Sequence, residues 1–174
     1  MKLFSSNYLS DLLNTARQSK RLRAHANLHQ SHQDPCQRLF NALNSGSYIR
    51  PHRHSLDPKD ECLMAIKGLF SLIIFSNCGV INSITIFGSE KYSEEKVIAS
   101  GVEVPAGVWH TVISLTHESI LFEVKSGPFD PSLAKELAPW APEEGGANAP
   151  QYLSLLKQKS FDELSKVLKV KISL

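Results

Sequence analysis

The sequence GSYIRPHRHSLDPKDECLMAIKG, residues 46–68, decides how the rest of the chain is read. His52 and His54 stand two positions apart in it. On an extended strand that spacing turns both imidazoles to one side of the sheet and Arg53 to the other. Glu61 opens an apolar segment that ends at Gly68, so a carboxylate can join the pair from a neighbouring strand. Leu63 and Ala65 would share its face, with Cys62, Met64 and Ile66 turned away. Far downstream, VPAGVWH (104–110) places His110 at the start of a strand-like run, on one face with Val112 and Ser114. Trp109, Thr111 and Ile113 take the opposite face, and Pro105 and Gly107 make a tight turn just before. Three imidazoles and one carboxylate form an N/O ligand set for one divalent first-row metal. Such a set excludes the soft thiolate metals. Open octahedral positions beside four protein ligands favour Mn(II) or Fe(II), while Zn(II) or Ni(II) can occupy the site in purified material.

The bulk composition is that of one globular domain. The chain has 174 residues, 42% of them hydrophobic, with 21% charged and a formal charge of +2. That balance demands neither a nucleic-acid nor a membrane partner. Cys36, Cys62 and Cys78 are odd in number and widely spaced, with no CxxC pair, so neither a zinc knuckle nor a disulfide framework is expected. Cys62 should be a buried structural thiol. No signal peptide is legible and no apolar run approaches the roughly 20 residues that span a bilayer, so a cytoplasmic protein is expected.

Along the chain, residues 7–20 carry Leu9, Leu12, Leu13 and Ala16 at helical spacing after a Ser/Asn-rich start. Residues 18–34 are polar and aperiodic, a solvated loop or an arm laid over a pocket. From residue 37 onward short β-like runs alternate with turns: 39–43, 48–54, 62–66, 69–75, 81–87, 97–99, 102–104, 109–115 and 119–124, with a charged link over 90–96. Many short strands with Gly/Pro turns predict an all-β barrel or sandwich. Residues 128–150 hold five prolines and should form an irregular wrap. Residues 152–156 and 161–170 read as helical, with Ser160 to Glu163 as a capping box and Phe161, Leu164, Val167 and Leu168 on one face. The organisation is thus a helix and polar arm over 1–36, a β-barrel over 37–127, and a wrap and helix over 128–174, together one structural domain.

The pattern Gly46-x5-His52-x-His54-x6-Glu61-x6-Gly68 resembles the first motif of the cupin superfamily, with a His-to-Glu gap longer than usual. Gly101-x3-Pro105-x-Gly107-x2-His110 resembles the second, with a shortened Gly-to-Pro gap and Ser114 where Asn is usual. The resemblance implies a mainly-β, double-stranded jelly-roll barrel in which His52, His54, Glu61 and His110 bind one metal. Further stretches resemble the WbuC-type cupin-fold metalloproteins found among bacterial polysaccharide genes: SKRLRAHANLH (19–29), YIRPHRH (48–54), PAGVWHT (105–111), FEVKSGPF (122–129) and WAPE (140–143). That company suggests sugar-related substrates and supplies no reaction.

Other residues have two readings. His25, His29 and His32 are expected at the surface or bonded in loops; alternatively Arg21, Arg23, Asn27 and His29 line the mouth and hold an anionic substrate. Glu123 and Lys125 share a strand face, as a solvated pair at a strand end or as pocket acid/base groups. Tyr48 could face the cavity as a phenolic donor or sit in the core. Trp109 and Trp140 should be packing residues, and the C-terminal helix should pack on the barrel or in a dimer interface. The function expected is a metal-dependent enzyme on a small polar or anionic metabolite, by isomerase, epimerase or lyase chemistry. The alternatives are an Fe(II) dioxygenase and a non-catalytic metal- or ligand-binding module. The apolar runs 69–75 and 81–87 suggest a homodimer.

Overall fold

A computed structural model describes residues 1–90 and 98–169. Helix α1 (Ser6–Gln18) starts on the Ser5 side chain, which accepts from the Tyr8 amide, and buries Leu12, Leu13 and Ala16, the stripe its spacing predicts. Ten strands follow. β1 (Arg23–Asn27), β2 (Cys36–Asn44), β9 (Glu118–Ser126), β4 (Glu61–Lys67) and β7 (Gly101–Val104) lie side by side in that order in one sheet. The other sheet runs β10 (Glu136–Leu137), β3 (His52–Arg53), β8 (Trp109–Ser114), β5 (Leu69–Phe75) and β6 (Ile81–Gly88). All ladders within both sheets are antiparallel. The architecture is a cupin-like double-stranded β-helix, two facing sheets with an N-terminal and a C-terminal helix.

One crossing between the sheets, from β4 to β5, falls on a single residue. Gly68 links β4 to β5 with φ +92°, and a Cβ there would meet the Ser119 hydroxyl oxygen at 2.3 Å. No other residue combines that dihedral with that space.

Helix α2 (Ala149–Lys169) covers the outer face of the second sheet, where Leu153 and Leu156 pack with Ile73, Phe75, Trp109 and Ile113. The apolar faces of β5 and β6 that suggested a homodimer are therefore largely occupied by the chain's own helix and wrap. α2 also corrects the expected break between two helices. Ser160 does not cap a second helix: it is fully buried in mid-helix, donating to the Leu156 carbonyl at 2.8 Å and sharing a 2.8 Å hydrogen bond with the Ser71 hydroxyl. The buried stripe is accordingly Leu153, Leu156 and Ser160, while Phe161 and Leu168 are exposed.

The polar segment that lacked periodicity contains β1, an edge strand paired along β2 from Arg23↔Leu43 to Asn27↔Leu39. Residues 48–54 yield only the two-residue β3. The charged link over 91–96, the start of the 97–99 run and Val170 lie outside the described residues; Ala99 forms an isolated parallel bridge with Phe87.

Candidate metal centre

The four predicted ligands meet between the two sheets. His52 and His110 are cross-strand partners on β3 and β8, His54 follows β3, and Glu61 begins β4 in the opposite sheet. The turn before β8 is tied to this group: Gly107 (φ +77°) donates its amide to the His54 carbonyl at 3.0 Å, and the Ala106 amide donates to Asp60 Oδ1 at 2.8 Å. The Pro105–Gly107 turn thus fixes His110 against His54 and Glu61. All four side chains are buried, and one ligand atom from each lies within 4.8 Å of all the others.

The hydrogen bonds decide which nitrogen faces inward. Nδ1 of His52 lies 3.0 Å from the Arg50 carbonyl and Nδ1 of His110 lies 2.8 Å from the Val108 carbonyl; Nδ1 of His54 bonds the Ala134 carbonyl. A carbonyl only accepts, so each Nδ1 carries the proton and each Nε2 presents a lone pair. Nε2 of His54 sits 3.1 Å from Glu61 Oε1, and Nε2 of His110 sits 3.4 Å from Glu61 Oε2. Lone pairs and carboxylate oxygens at these distances repel unless a cation lies among them. The buried His54 Nε2 has no hydrogen-bond partner among the described residues. The donor set and its geometry fit a divalent metal.

The charge states agree. Burial, then the charge of Lys135, holds His52 well below the usual imidazole range, so it is neutral. Burial pushes the Glu61 carboxyl up, but its neighbours, the Lys125 ammonium among them, outweigh burial and hold the group well below the usual carboxylate range. Lys125 is the cross-strand partner of Glu61 on β9, and its ammonium donates at 2.9 Å to both Glu61 Oε1 and Glu123 Oε1. Glu123 in turn accepts from Asn41 Nδ2 at 2.5 Å. Glu123 and Lys125 are therefore no solvated pair: they are 13% and 11% exposed and form a chain from Glu61 to β2.

A cavity of about 810 Å³ opens beside the four ligands. Arg21, Arg23, Asn27 and His29 all line it, as the mouth reading predicts; His25 and His32 border it as well and are exposed, as the surface reading has them. The arginines differ in freedom. Arg23 is buried and committed, donating to the Tyr48 carbonyl at 2.8 Å and to Glu144 at 2.5 Å. Nδ1 of His29 lies 3.0 Å from the Arg38 carbonyl oxygen and 3.1 Å from its amide nitrogen, so the ring is bonded to the β2 backbone. Tyr48 lies outside the cavity lining, its hydroxyl donating to the Pro142 carbonyl at 2.9 Å. Trp109 is a packing residue as expected, with the Arg53 guanidinium 4.4 Å from the ring centroid. Cys62 is half-buried rather than buried.

Lys135 is the functional candidate that sequence reading missed. It sits in the proline-rich wrap, where no periodicity marks which side chains turn inward, and it reaches the cavity. Fixed contacts hold the wrap there: Glu136 receives two 2.8 Å bonds from Arg53, and the Ala138 amide donates to the Pro51 carbonyl at 2.9 Å.

The fold and the four-ligand group together define a cupin-like protein with a candidate metal centre. The family model of a domain of unknown function (DUF6016) matches residues 4–87, a span that holds three of the four ligands. No curated protein matches the chain. Among solved structures, the chain is similar to protein SO0799 from Shewanella oneidensis, at 15% identity and a TM-score of 0.57, over 86% of this chain and 94% of that one. It is also similar to an uncharacterised conserved protein with a double-stranded β-helix domain from Klebsiella pneumoniae. That match has 12% identity and a TM-score of 0.53, over 79% and 97% of the two chains. A third likeness, at 17% identity and a TM-score of 0.54, is to CapF, covering 68% of this chain and 32% of that one. These likenesses bear on fold alone.

Proposed function

We propose that the protein is a metal-dependent enzyme acting on a small anionic metabolite, with one divalent ion held by His52, His54, Glu61 and His110. The observation that carries this reading is the convergence of three Nε2 lone pairs and an ionised carboxylate beside a cavity large enough for a metabolite. The metal, Mn(II) or Fe(II) by preference, would supply Lewis acidity toward a carbonyl or hydroxyl oxygen of the substrate. The chain's own residues do the rest. The carbonyls of Arg50, Val108 and Ala134 hold the three imidazoles in the ligating tautomer. Lys125 and Glu123 hold the Glu61 carboxylate from behind. The cationic groups of the cavity draw in and orient an anion. The motifs over 19–29, 105–111 and 122–129 support membership of the WbuC-type cupins as part of the same reading.

Elemental mass spectrometry on untagged protein tests it, beside a His52→Ala/His54→Ala double variant whose fold is checked by circular dichroism. About one Mn or Fe per chain in the native protein, absent from the variant, is the expected result. Equal or negligible metal in both, with failed reconstitution of the metal-free protein, would overturn the four-ligand assignment.

A further inference from the structure

Five cationic side chains line the cavity against four carboxylates, and most of these charges are already matched. Arg23 is held by Glu144, Arg50 by the Ala138 carbonyl at 2.7 Å and more loosely by Glu143, and Lys125 by Glu61 and Glu123. Arg21 has no side-chain partner among the described residues but is exposed at the mouth. Lys135 is different. It too is exposed and lines the cavity, but its charge reaches His52 and Glu61, and among the described residues it makes no hydrogen bond or ion pair. Burial pulls its pKa below the usual lysine value; Glu61 and Glu123 oppose this, and Lys125 and Arg23 add to it. A cation of the cavity lining that none of the described residues engages is free to take a partner from the cavity.

Lys135 is also held in place from both sides. The carbonyl of Ala134 accepts from His54, and the carboxylate of Glu136 accepts from Arg53 and Ser55. The ammonium is thus presented from a pinned backbone, next to the residue whose carbonyl orients a metal ligand.

The deep wall of the cavity has the opposite chemistry. Leu43, Leu63, Val112 and Leu121 form it, each 6% exposed or less, and they belong to the apolar core between the sheets. Hydroxyl groups laid on that wall would lose water without gaining partners; a hydrocarbon would not.

We propose that the cavity takes an organic acid with an apolar body, its carboxylate held by Lys135 and its hydrocarbon part lying on Leu43, Leu63, Val112 and Leu121. The inference deepens the reading above and takes the same cavity as its site. It excludes a sugar phosphate as the preferred ligand.

Titration calorimetry on the full chain tests it with acetate, butanoate, hexanoate, inorganic phosphate and glucose 1-phosphate. The same series is run on Lys135→Met and Lys135→Arg, with metal content measured on every sample. Affinity should rise about threefold to fourfold per added methylene. Hexanoate binding should weaken tenfold or more in Lys135→Met and recover in part in Lys135→Arg. Affinity flat with chain length, undiminished in Lys135→Met, or highest for glucose 1-phosphate or phosphate would overturn the proposal. Carboxylate binding with the expected Lys135 dependence in protein that takes up no metal would sink the metalloenzyme reading alone. Metal-loaded protein without Lys135-dependent carboxylate binding would sink this inference alone.

Discussion

The space between the two sheets is used in opposite ways at its two ends. At one end Phe70 and Phe87 are fully buried, their rings stacked at 5.4 Å, with Leu72 in the same apolar cluster. At the other end the same two sheets carry the four candidate ligands, a chain of Asn41, Glu123 and Lys125, and a Lys135 without a partner among the described residues, around an open cavity. The strands are continuous across both ends; β8 runs from His110 through Val112 on one face. A single alternation of residues therefore serves stability at one end and binding at the other, and the stable end holds the costly one in place.

The comparison can be broken first at the packed end. Phe70→Ala should cost about 3–5 kcal/mol in denaturant unfolding, through lost burial and the cavity left behind. It should leave metal stoichiometry unchanged in the folded fraction, and a loss of metal without a loss of stability would refute the division. At the open end, Glu61→Gln removes the only anionic ligand. Metal affinity should fall about tenfold or more, since a neutral amide replaces a carboxylate; a competition titration against a chelator reads it.

Lys135 sharpens the contrast because it should count against stability. Its pKa lies below the ordinary lysine value of 10.5, so below its folded pKa the protein carries the charge at a cost. That cost disappears as pH rises from the folded pKa toward 10.5, where the unfolded chain also sheds the proton. Lys135→Met should therefore be more stable than the native protein at neutral pH, with the difference shrinking toward alkaline pH. Unfolding series at pH 7 and pH 10 would show it, and a destabilised variant at pH 7 would contradict it. The smallest effect belongs to the rim, where Arg53 and Glu136 are 29% and 35% exposed. Glu136→Gln should cost about 0.2–1 kcal/mol, less at high salt.

Much of this was legible in the residues themselves. Alternation placed Glu61 with Leu63, and His110 with Val112, on the inward face, because the period of a strand leaves no other choice. Glycine and proline marked the turn at 105–107 and the crossing at Gly68. The β1 strand was not legible: Arg23, His25 and Asn27 face a polar cavity, so the apolar alternation that announces a strand is missing. The long helix α2 was read as two because Ser160 fits a cap, and only the nearby Ser71 hydroxyl shows why a serine sits in its buried stripe.

The sequence by itself marked His52, His54, Glu61 and His110 as candidate ligands and Leu12, Leu13 and Ala16 as the α1 stripe, since these follow from local periodicity and from residue types with few chemical uses. The periodicity of the short strands left barrel and sandwich open, and the jelly roll was what the cupin resemblance implied. Only the tertiary structure decided which charges are free. Arg23 and Lys135 are both cations in polar stretches, yet Glu144 reaches back to neutralise Arg23 and nothing among the described residues neutralises Lys135. Pairing across such distances in the chain depends on how a wrap without periodicity folds over the sheets, and no local pattern encodes that.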